Sequence, residues 1–262
     1  MRELSLFSGA GGGLLGTRLL GWRPVGYVEW NDYCQRVIAQ RITDGILPAA
    51  PIFTDVREFV RSGAADQYRG FVDVVTGGFP CQPFSVAGKR AGADDARNMW
   101  PATMEVIRRV QPAWAFFENV PGLLSSGYFG AILSDLAEGG YDVGWRILSA
   151  ADVGAAHLRR RLWIAAHAMR SERWPQAQSG AGDAARADAV PGGWQQGANG
   201  PGNTHAPMGV VDRRVTWWET EPELGRLADG VANRVDRLRA AGNGQVPGVA
   251  ARAWQLLSGH DA

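Results

Sequence analysis

Nearly continuous apolar runs alternate with segments of helical periodicity through the first two thirds of the chain. The apolar runs predict strands at residues 3–8, 24–30, 50–56, 71–78 and 113–120, and again at 143–150 and 161–167. Helices are predicted between them at 14–21, 33–42, 99–112 (on either side of Pro101) and 128–138. Because each strand is apolar along most of its length, we expect an α/β fold with a mostly parallel sheet covered by helices on both faces.

Periodicity is lost after about residue 168. The stretch 175–209 is rich in Gly and Pro, as loops and segments without a packed core are. A helical stretch at 221–239 and an amphipathic helix at 246–257 follow. We therefore predict a larger domain formed by residues 1–167 and 240–262, and a small, loop-rich lobe at 168–239.

A glycine-rich turn, "GAGGG", follows the first predicted strand and precedes a helix and a second strand that ends at Glu29. Glu29 lies 20 residues after Gly9, the spacing at which an acidic residue binds ribose hydroxyls in Rossmann-like nucleotide sites. Asp55 is predicted at the end of the third strand. A lone glycine turn also fits an ordinary tight turn, but acidic residues at two successive strand ends favour a nucleotide-like ligand.

Composition and charge change this picture little. Hydrophobic residues make up 45% and charged residues 20% of the 262 residues, as in ordinary globular proteins. The chain has no apolar run long enough for a membrane span and no signal-peptide pattern, and its two distant cysteines indicate no disulfide framework, so we expect a cytoplasmic protein. The net charge is +1, and nearly all basic residues are arginine, which is compatible with nucleic-acid contacts without requiring them.

Cys81 lies in the loop "TGGFPCQPFS", residues 76–85, between two prolines and directly after a predicted strand. The prolines restrict the backbone on both sides and hold the thiol in place, and ligands collect at the carboxyl ends of such strands. A thiol in this setting is either a nucleophile, active as the thiolate, or an inert buried cysteine. Glu118 ends the next apolar run, in "ENV", where a partly buried carboxyl with a raised pKa can act as a general acid or base.

The motifs "LSLFSGAGG", "GGFPCQPFS", "ENV", "HLRRRLWIA" and "GNGQVP" occur in this order along the chain. In sequence and order they resemble the motifs of DNA (cytosine-5)-methyltransferases. The resemblance covers roughly residues 3–167 and 240–257. It implies a Rossmann-like, S-adenosylmethionine-dependent methyltransferase fold, with residues 168–239 as a reduced target-recognition region.

The resemblance also implies a covalent mechanism on duplex DNA. Cys81 would add to C6 of a flipped-out cytosine, and C5 would then take a methyl group from S-adenosylmethionine. Glu118 would contact N3 and the exocyclic amine of the base. Arg159 and Arg161 would lie near the catalytic pocket on one face of a strand, with Arg160 on the other.

By the same resemblance, twelve residues would bind S-adenosylmethionine, and six more would contact DNA. The cofactor residues would be Phe7, Ser8, Gly9, Gly11, Glu29, Trp30, Asp55, Val56, Gly78, Pro80, Asn243 and Gly244. The DNA-contacting residues would be Gln82, Ser85, Lys89, Arg90, Arg97 and Arg160, most of them in a mobile loop at 82–99. No metal is implied. The expected partners are double-stranded DNA and a separate restriction endonuclease, with the chain itself acting as a monomer.

Three departures from the family pattern leave alternatives open. His157 stands where the family usually has glutamine, Ser5 where many members have aspartate, and the recognition region is short. One alternative is a tRNA cytosine-5 methyltransferase, although the Cys-Phe-Thr signature typical of that branch is missing, because no cysteine follows Cys81. Two others are a partner-dependent or inactive DNA-binding relative and, on the glycine turn alone, a nicotinamide oxidoreductase.

Overall fold

The computed structural model describes residues 1–80, 98–169 and 234–259. Seven strands form one sheet in the order β3-β2-β1-β4-β5-β7-β6. Their bounds are β1 Arg2–Leu6, β2 Arg23–Val28, β3 Ile52–Phe53, β4 Val74–Gly77, β5 Trp114–Asn119, β6 Tyr141–Leu148 and β7 Arg161–Ala168. All neighbouring strands from β3 to β5 pair in parallel, and β7 alone runs antiparallel to its neighbours. The predicted α/β, Rossmann-like architecture is confirmed.

Helices cover both faces of this sheet. They are α1 Gly12–Leu19, α2 Asp32–Thr43, α3 Val56–Arg61, α4 Trp100–Val110, α5 Phe129–Glu138, α6 Arg234–Asn243 and α7 Pro247–Ser258. Alternation along β5 separates the two cores: Ala115 and Phe117 pack with residues of α3, α4 and α5, whereas Trp114 and Phe116 pack with residues of α7. The strand is buried on both faces, which explains its continuous apolar run.

Two predicted elements differ in the structure. The third strand is only two residues long, and Asp55 is the N-cap of α3, where its carboxylate accepts hydrogen bonds from the backbone N–H groups of Arg57 and Glu58. Helix α4 is continuous, because Pro101 lies in its first turn, where the missing N–H has no helical partner to lose.

The C-terminal segment returns to the sheet beside the glycine turn. Trp254 of α7 makes edge-on ring contacts with Trp22, Trp114 and Phe116. A Cβ on Gly16 of α1 would lie 2.6 Å from the carbonyl oxygen of Pro247, so α1 and α7 touch through their backbones. Most of the predicted recognition region, from residue 170 to 233, lies outside the described residues. In the part of the chain that is described, no helix has the length and apolar character needed to cross a membrane.

Candidate active site

The carboxyl ends of β1, β2, β4 and β5 border a cleft of about 450 Å³. Crevices at this edge of an open parallel sheet are the usual ligand sites of the fold. Ten of the predicted cofactor and catalytic residues line it: Phe7, Gly9, Glu29, Trp30, Gly78, Pro80, Glu118, Arg159, Arg161 and Asn243. The cleft therefore brings together residues from all five motifs, which are far apart in the sequence.

The glycine turn and Glu29 form one wall of this cleft. One carboxylate oxygen of Glu29 accepts the N–H of Gly9 at 2.6 Å, and the other accepts the N–H of Asn31 at 2.7 Å. Burial raises the pKa of Glu29, and these two backbone hydrogen bonds oppose the rise. Phe7, at the exit of β1, has a positive φ of 51°, which is uncommon for a residue with a side chain. The turn is thus held tightly against the acidic end of β2.

Glu118, near the end of β5, lies opposite this wall. Its side chain is buried, and its Oε1 pairs with Nε of Arg161 at 2.7 Å. Burial is the largest influence on Glu118 and raises the pKa of its carboxyl. The charges of Arg161 and Arg159 and a hydrogen bond from Gln245 oppose this rise. Burial and the neighbouring donors therefore act in opposite directions on the pKa of this carboxyl.

Arg159 joins the cleft to the C-terminal segment. Its two terminal nitrogens donate to the carbonyl oxygens of Gly242 at 2.7 Å and Gly244 at 2.6 Å. Strand β7 begins only at Arg161, so Arg159 and Arg160 precede the strand rather than belonging to it. Arg159 and Arg161 line the cleft, and Arg160 is exposed, without the strand alternation on which the prediction relied.

The backbone that leads to Cys81 is anchored by Asn119. The Nδ2 of this buried side chain donates to the carbonyl oxygen of Phe79 at 3.1 Å, directly before Pro80. Asn119 and Phe79 both line the cleft. Cys81 itself and the predicted DNA contacts Gln82, Ser85, Lys89, Arg90 and Arg97 lie outside the described residues.

Five predicted cofactor residues do not line the main cleft. Ser8 and Gly244 border a smaller neighbouring cavity of about 50 Å³, and the Ser8 hydroxyl bonds to Ser5. Gly11 is the N-cap residue of α1 and has a positive φ of 84°. Asp55 caps α3, and Val56 is buried in the core.

Gln245 and Glu3 are among the polar side chains at the site that the sequence did not reveal. Gln245 hydrogen-bonds Glu118, and its position inside "GNGQVP" was the available signal. Glu3 of β1 lines the smaller cavity and accepts hydrogen bonds at 2.6 Å from the hydroxyls of both Thr17 and Thr76. Burial raises the pKa of Glu3 to about 7. The sequence around Glu3 does not indicate that its carboxylate binds Thr17 and Thr76, because both partners lie in other elements.

The cleft offers an organic ligand two buried carboxylates, an exposed indole at Trp30 and a glycine turn. Within the described residues, no group of three or more His, Cys, Asp or Glu side chains could hold a metal ion.

Comparison with known proteins agrees with this geometry. The sequence profile described as "C-5 cytosine-specific DNA methylase" matches residues 1–184. The Type II methyltransferase M.NgoMIV of Neisseria gonorrhoeae is 34% identical over 186 residues, covering 68% of this chain and 56% of that protein. The Type II methyltransferase M.AquIA of a Picosynechococcus strain is 31% identical over 196 residues, covering 70% and 79% respectively.

Solved structures show the same fold. The DNMT2 mutant of Spodoptera frugiperda superposes with a TM-score of 0.53 at 22% identity, over 66% of this chain and 51% of that one. This likeness concerns the fold alone. The chain spans about half the length of several curated relatives that it matches, for example 48% of M.AplI of Arthrospira platensis.

Proposed function

Because the chain belongs to the C-5 cytosine-specific DNA methylase family, we propose that it transfers a methyl group from S-adenosylmethionine to C5 of a cytosine in DNA. The observation that carries the proposal is the placement of Glu118. This buried, arginine-paired carboxyl faces the same cleft as Pro80, the residue directly before Cys81. An acid and a thiol at neighbouring strand ends are the two groups that the reaction needs.

The cleft fits S-adenosylmethionine in size and chemistry. Its volume of about 450 Å³ is typical of small-molecule sites. Each carboxylate oxygen of Glu29 already takes one backbone N–H and retains capacity to accept a ribose hydroxyl. The side chain of Trp30 is 76% exposed at the rim and offers an aromatic face to the adenine. When bound there, the cofactor supplies an electrophilic methyl group.

Cys81 and Glu118 activate the base together. The Cys81 thiolate forms a bond to C6 of cytosine, and the electrons of the C5–C6 double bond move toward the ring nitrogen N3. Burial raises the pKa of Glu118, which favours transfer of a proton from its carboxyl to N3, so that no isolated negative charge develops on the ring. C5 then holds the electron pair that bonds the methyl group.

Release restores both protein groups. Loss of the C5 proton to a base returns electrons to the C5–C6 bond, and the Cys81 thiolate leaves from C6. Glu118 recovers its proton from N3 in the same phase. Arg161 stays paired with Oε1 of Glu118 and stabilises the carboxylate that exists between these two steps.

The target base must leave the duplex to reach a cleft at a sheet edge. Double-stranded DNA is accordingly the proposed macromolecular substrate, contacted by the predicted DNA-binding residues between 82 and 97 and by the exposed Arg160. The relatives named above are Type II methyltransferases. By analogy this chain acts as a monomeric modification enzyme beside a nuclease encoded as a separate chain.

The experiment that tests this function is transfer of labelled methyl groups to unmethylated genomic DNA, with tRNA as a parallel substrate. We expect label at cytosine C5 of DNA, located by conversion sequencing, and none after Cys81→Ser substitution. Cys34→Ser is the matched control, because Cys34 is the other cysteine of the chain. Label on tRNA but not on DNA, or full activity of Cys81→Ser, would contradict the proposal.

A further inference from the structure

The side chain of Gln245 lies against the first turn of α1. It belongs to the segment between α6 and α7, which Arg159 holds in place through the carbonyl groups of Gly242 and Gly244. A Cβ on Gly13 would overlap Oε1 of Gln245, and a Cβ on Gly12 would lie 2.5 Å from its carbonyl oxygen. Only glycine at these two positions lets Gln245 approach so closely.

The other end of the same amide group reaches Glu118. A Cβ on Gly78 would lie 3.3 Å from Nε2 of Gln245 and 3.0 Å from Oε2 of Glu118. Both atoms therefore lie close to Gly78, the residue that follows β4. The two side chains are hydrogen-bonded. Arg161 binds the other oxygen, Oε1. The carboxyl of Glu118 is therefore held from two sides by two different donors.

We propose that Gln245 is a positioning residue that fixes the orientation of the Glu118 carboxyl and connects it to the first turn of α1. The inference rests on the proposed function, in which Glu118 gives a proton to the base. An amide N–H stabilises the carboxylate that this step creates. Because the same amide packs on Gly13, Gln245 fixes the position of Glu118 relative to the glycine turn that forms the cofactor side of the cleft.

Several charged groups share this environment and act on Glu118 independently of Gln245. Arg161 of β7 pairs with the carboxyl of Glu118, and the charge of Arg159 also acts on it. Glu29 of β2 and Asp236 of α6 line the same cleft, and Glu3 of β1 lines the smaller cavity that Glu118 also borders. These groups are unchanged when Gln245 is replaced, so a difference in titration reports the amide.

Two substitutions break the connection from opposite ends. Gln245→Met keeps the length of the side chain and removes its donor and acceptor. Gly13→Ala keeps the glutamine and pushes its amide away from α1. Gln40→Met and Gly130→Ala are matched controls: Gln40 is exposed on α2, and Gly130 is an exposed position of α5 where a Cβ would have no atom within 4 Å.

The first readout does not depend on activity. Carbon-13 NMR of glutamate-labelled protein follows the carboxyl of Glu118, identified by its loss in Glu118→Gln. We expect the pKa of Glu118 to rise in both Gln245→Met and Gly13→Ala and to stay unchanged in the controls. An unchanged titration in the folded Gln245→Met protein would overturn the inference.

The second readout is the single-turnover rate with DNA and bound S-adenosylmethionine. Loss of one hydrogen bond to a charged group predicts a rate about ten- to a hundredfold lower, with nearly unchanged cofactor affinity. Cofactor affinity falling as steeply as the rate would make Gln245 a mere wall of the cleft and would overturn the inference. The two proposals can fail separately. If the pKa of Glu118 rises in the variants but the wild-type enzyme methylates neither DNA nor tRNA, the inference is supported and the proposed function is refuted.

Discussion

Burial and charge act in opposite directions on the carboxyl of Glu118. Burial raises its pKa, while Arg161, Arg159 and Gln245 lower it. A group under such opposing influences can give up a proton and take it back within one reaction cycle. Burial also raises the pKa of Glu29, but there the opposing groups are the backbone N–H groups of Asn31 and Gly9 rather than arginine side chains, which suits a residue that binds hydroxyls and transfers no proton.

Replacing Glu118 with glutamine tests whether this residue transfers a proton rather than binding the cofactor. We expect Glu118→Gln to lower the methyl-transfer rate by about 10²- to 10⁴-fold, the usual contribution of a general acid, with little change in S-adenosylmethionine affinity. Rapid-quench kinetics and calorimetric titration measure the two quantities. Glu138→Gln, an exposed change on α5, is the control. Equal losses of rate and of cofactor affinity would place Glu118 in cofactor binding instead.

Glu3 makes folding stability depend on pH. Burial raises the pKa of its carboxyl from 4.5 to about 7. Below pH 4.5 the group is protonated in both states and carries no penalty. Between pH 4.5 and 7 the folded state binds more protons, so the free energy of unfolding falls as pH rises, and the penalty is complete above pH 7.

Glu3→Gln should remove this penalty. We expect the variant to be more stable than the wild type at pH 8 by an amount on the order of 3 kcal/mol, with the gain shrinking toward pH 4.5. Urea unfolding at pH 5 and pH 8 measures it. The pH-dependent contributions of Glu29 and Glu118 are the same in variant and wild type, so they cancel in the difference between the two unfolding free energies. Glu58→Gln, at an exposed position, serves as control. A gain that did not change with pH would show that Glu3 is ionised in the fold.

Asp55, the N-cap of helix α3, is a position at which helix stability and ligand binding can be tested separately. Oδ1 of Asp55 accepts the N–H of Arg57 at 2.6 Å and the N–H of Glu58 at 3.3 Å. We expect Asp55→Ala to cost about 1 kcal/mol of unfolding free energy and Asp55→Ser, which retains a capping oxygen, to recover most of it. Chemical denaturation gives these values. Weakened S-adenosylmethionine binding in Asp55→Ser, despite restored stability, would support the predicted adenine contact.

Individual elements were predictable to the extent that their signals are local. The apolar runs located all seven strands, but the third was too long because Asp55 was assigned to a strand end. Asp55 followed three residues later by Glu58 is a helix-start pattern, and Pro101 fits a first turn for the same local reason. The contacts of Glu3 and Gln245 could not be predicted from the sequence, because they join distant segments that only the complete sheet brings together.

At the scale of the whole molecule, the active site is completed by residues far along the chain. Asn243 lines the cleft and Gln245 lines the smaller cavity beside it. Both positions depend on the packing of α7 on α1 and on the second core. Trp254 of α7 is buried in this packing and touches Trp22, Trp114 and Phe116. Stability of the sheet and completeness of the site should therefore depend on the same side chain.

Trp254→Ala tests this dependence. Removing a buried tryptophan leaves a cavity and is expected to cost about 3–5 kcal/mol of unfolding free energy. Because α7 anchors the segment carrying Asn243, which lines the cleft, we also expect weaker S-adenosylmethionine binding in the fraction that remains folded. Gln255→Ala, one position along on the partly exposed side of α7, should change neither quantity. If Trp254→Ala lost stability but bound the cofactor as tightly as the wild type, the C-terminal segment would be held by Arg159 and not by the packing of α7.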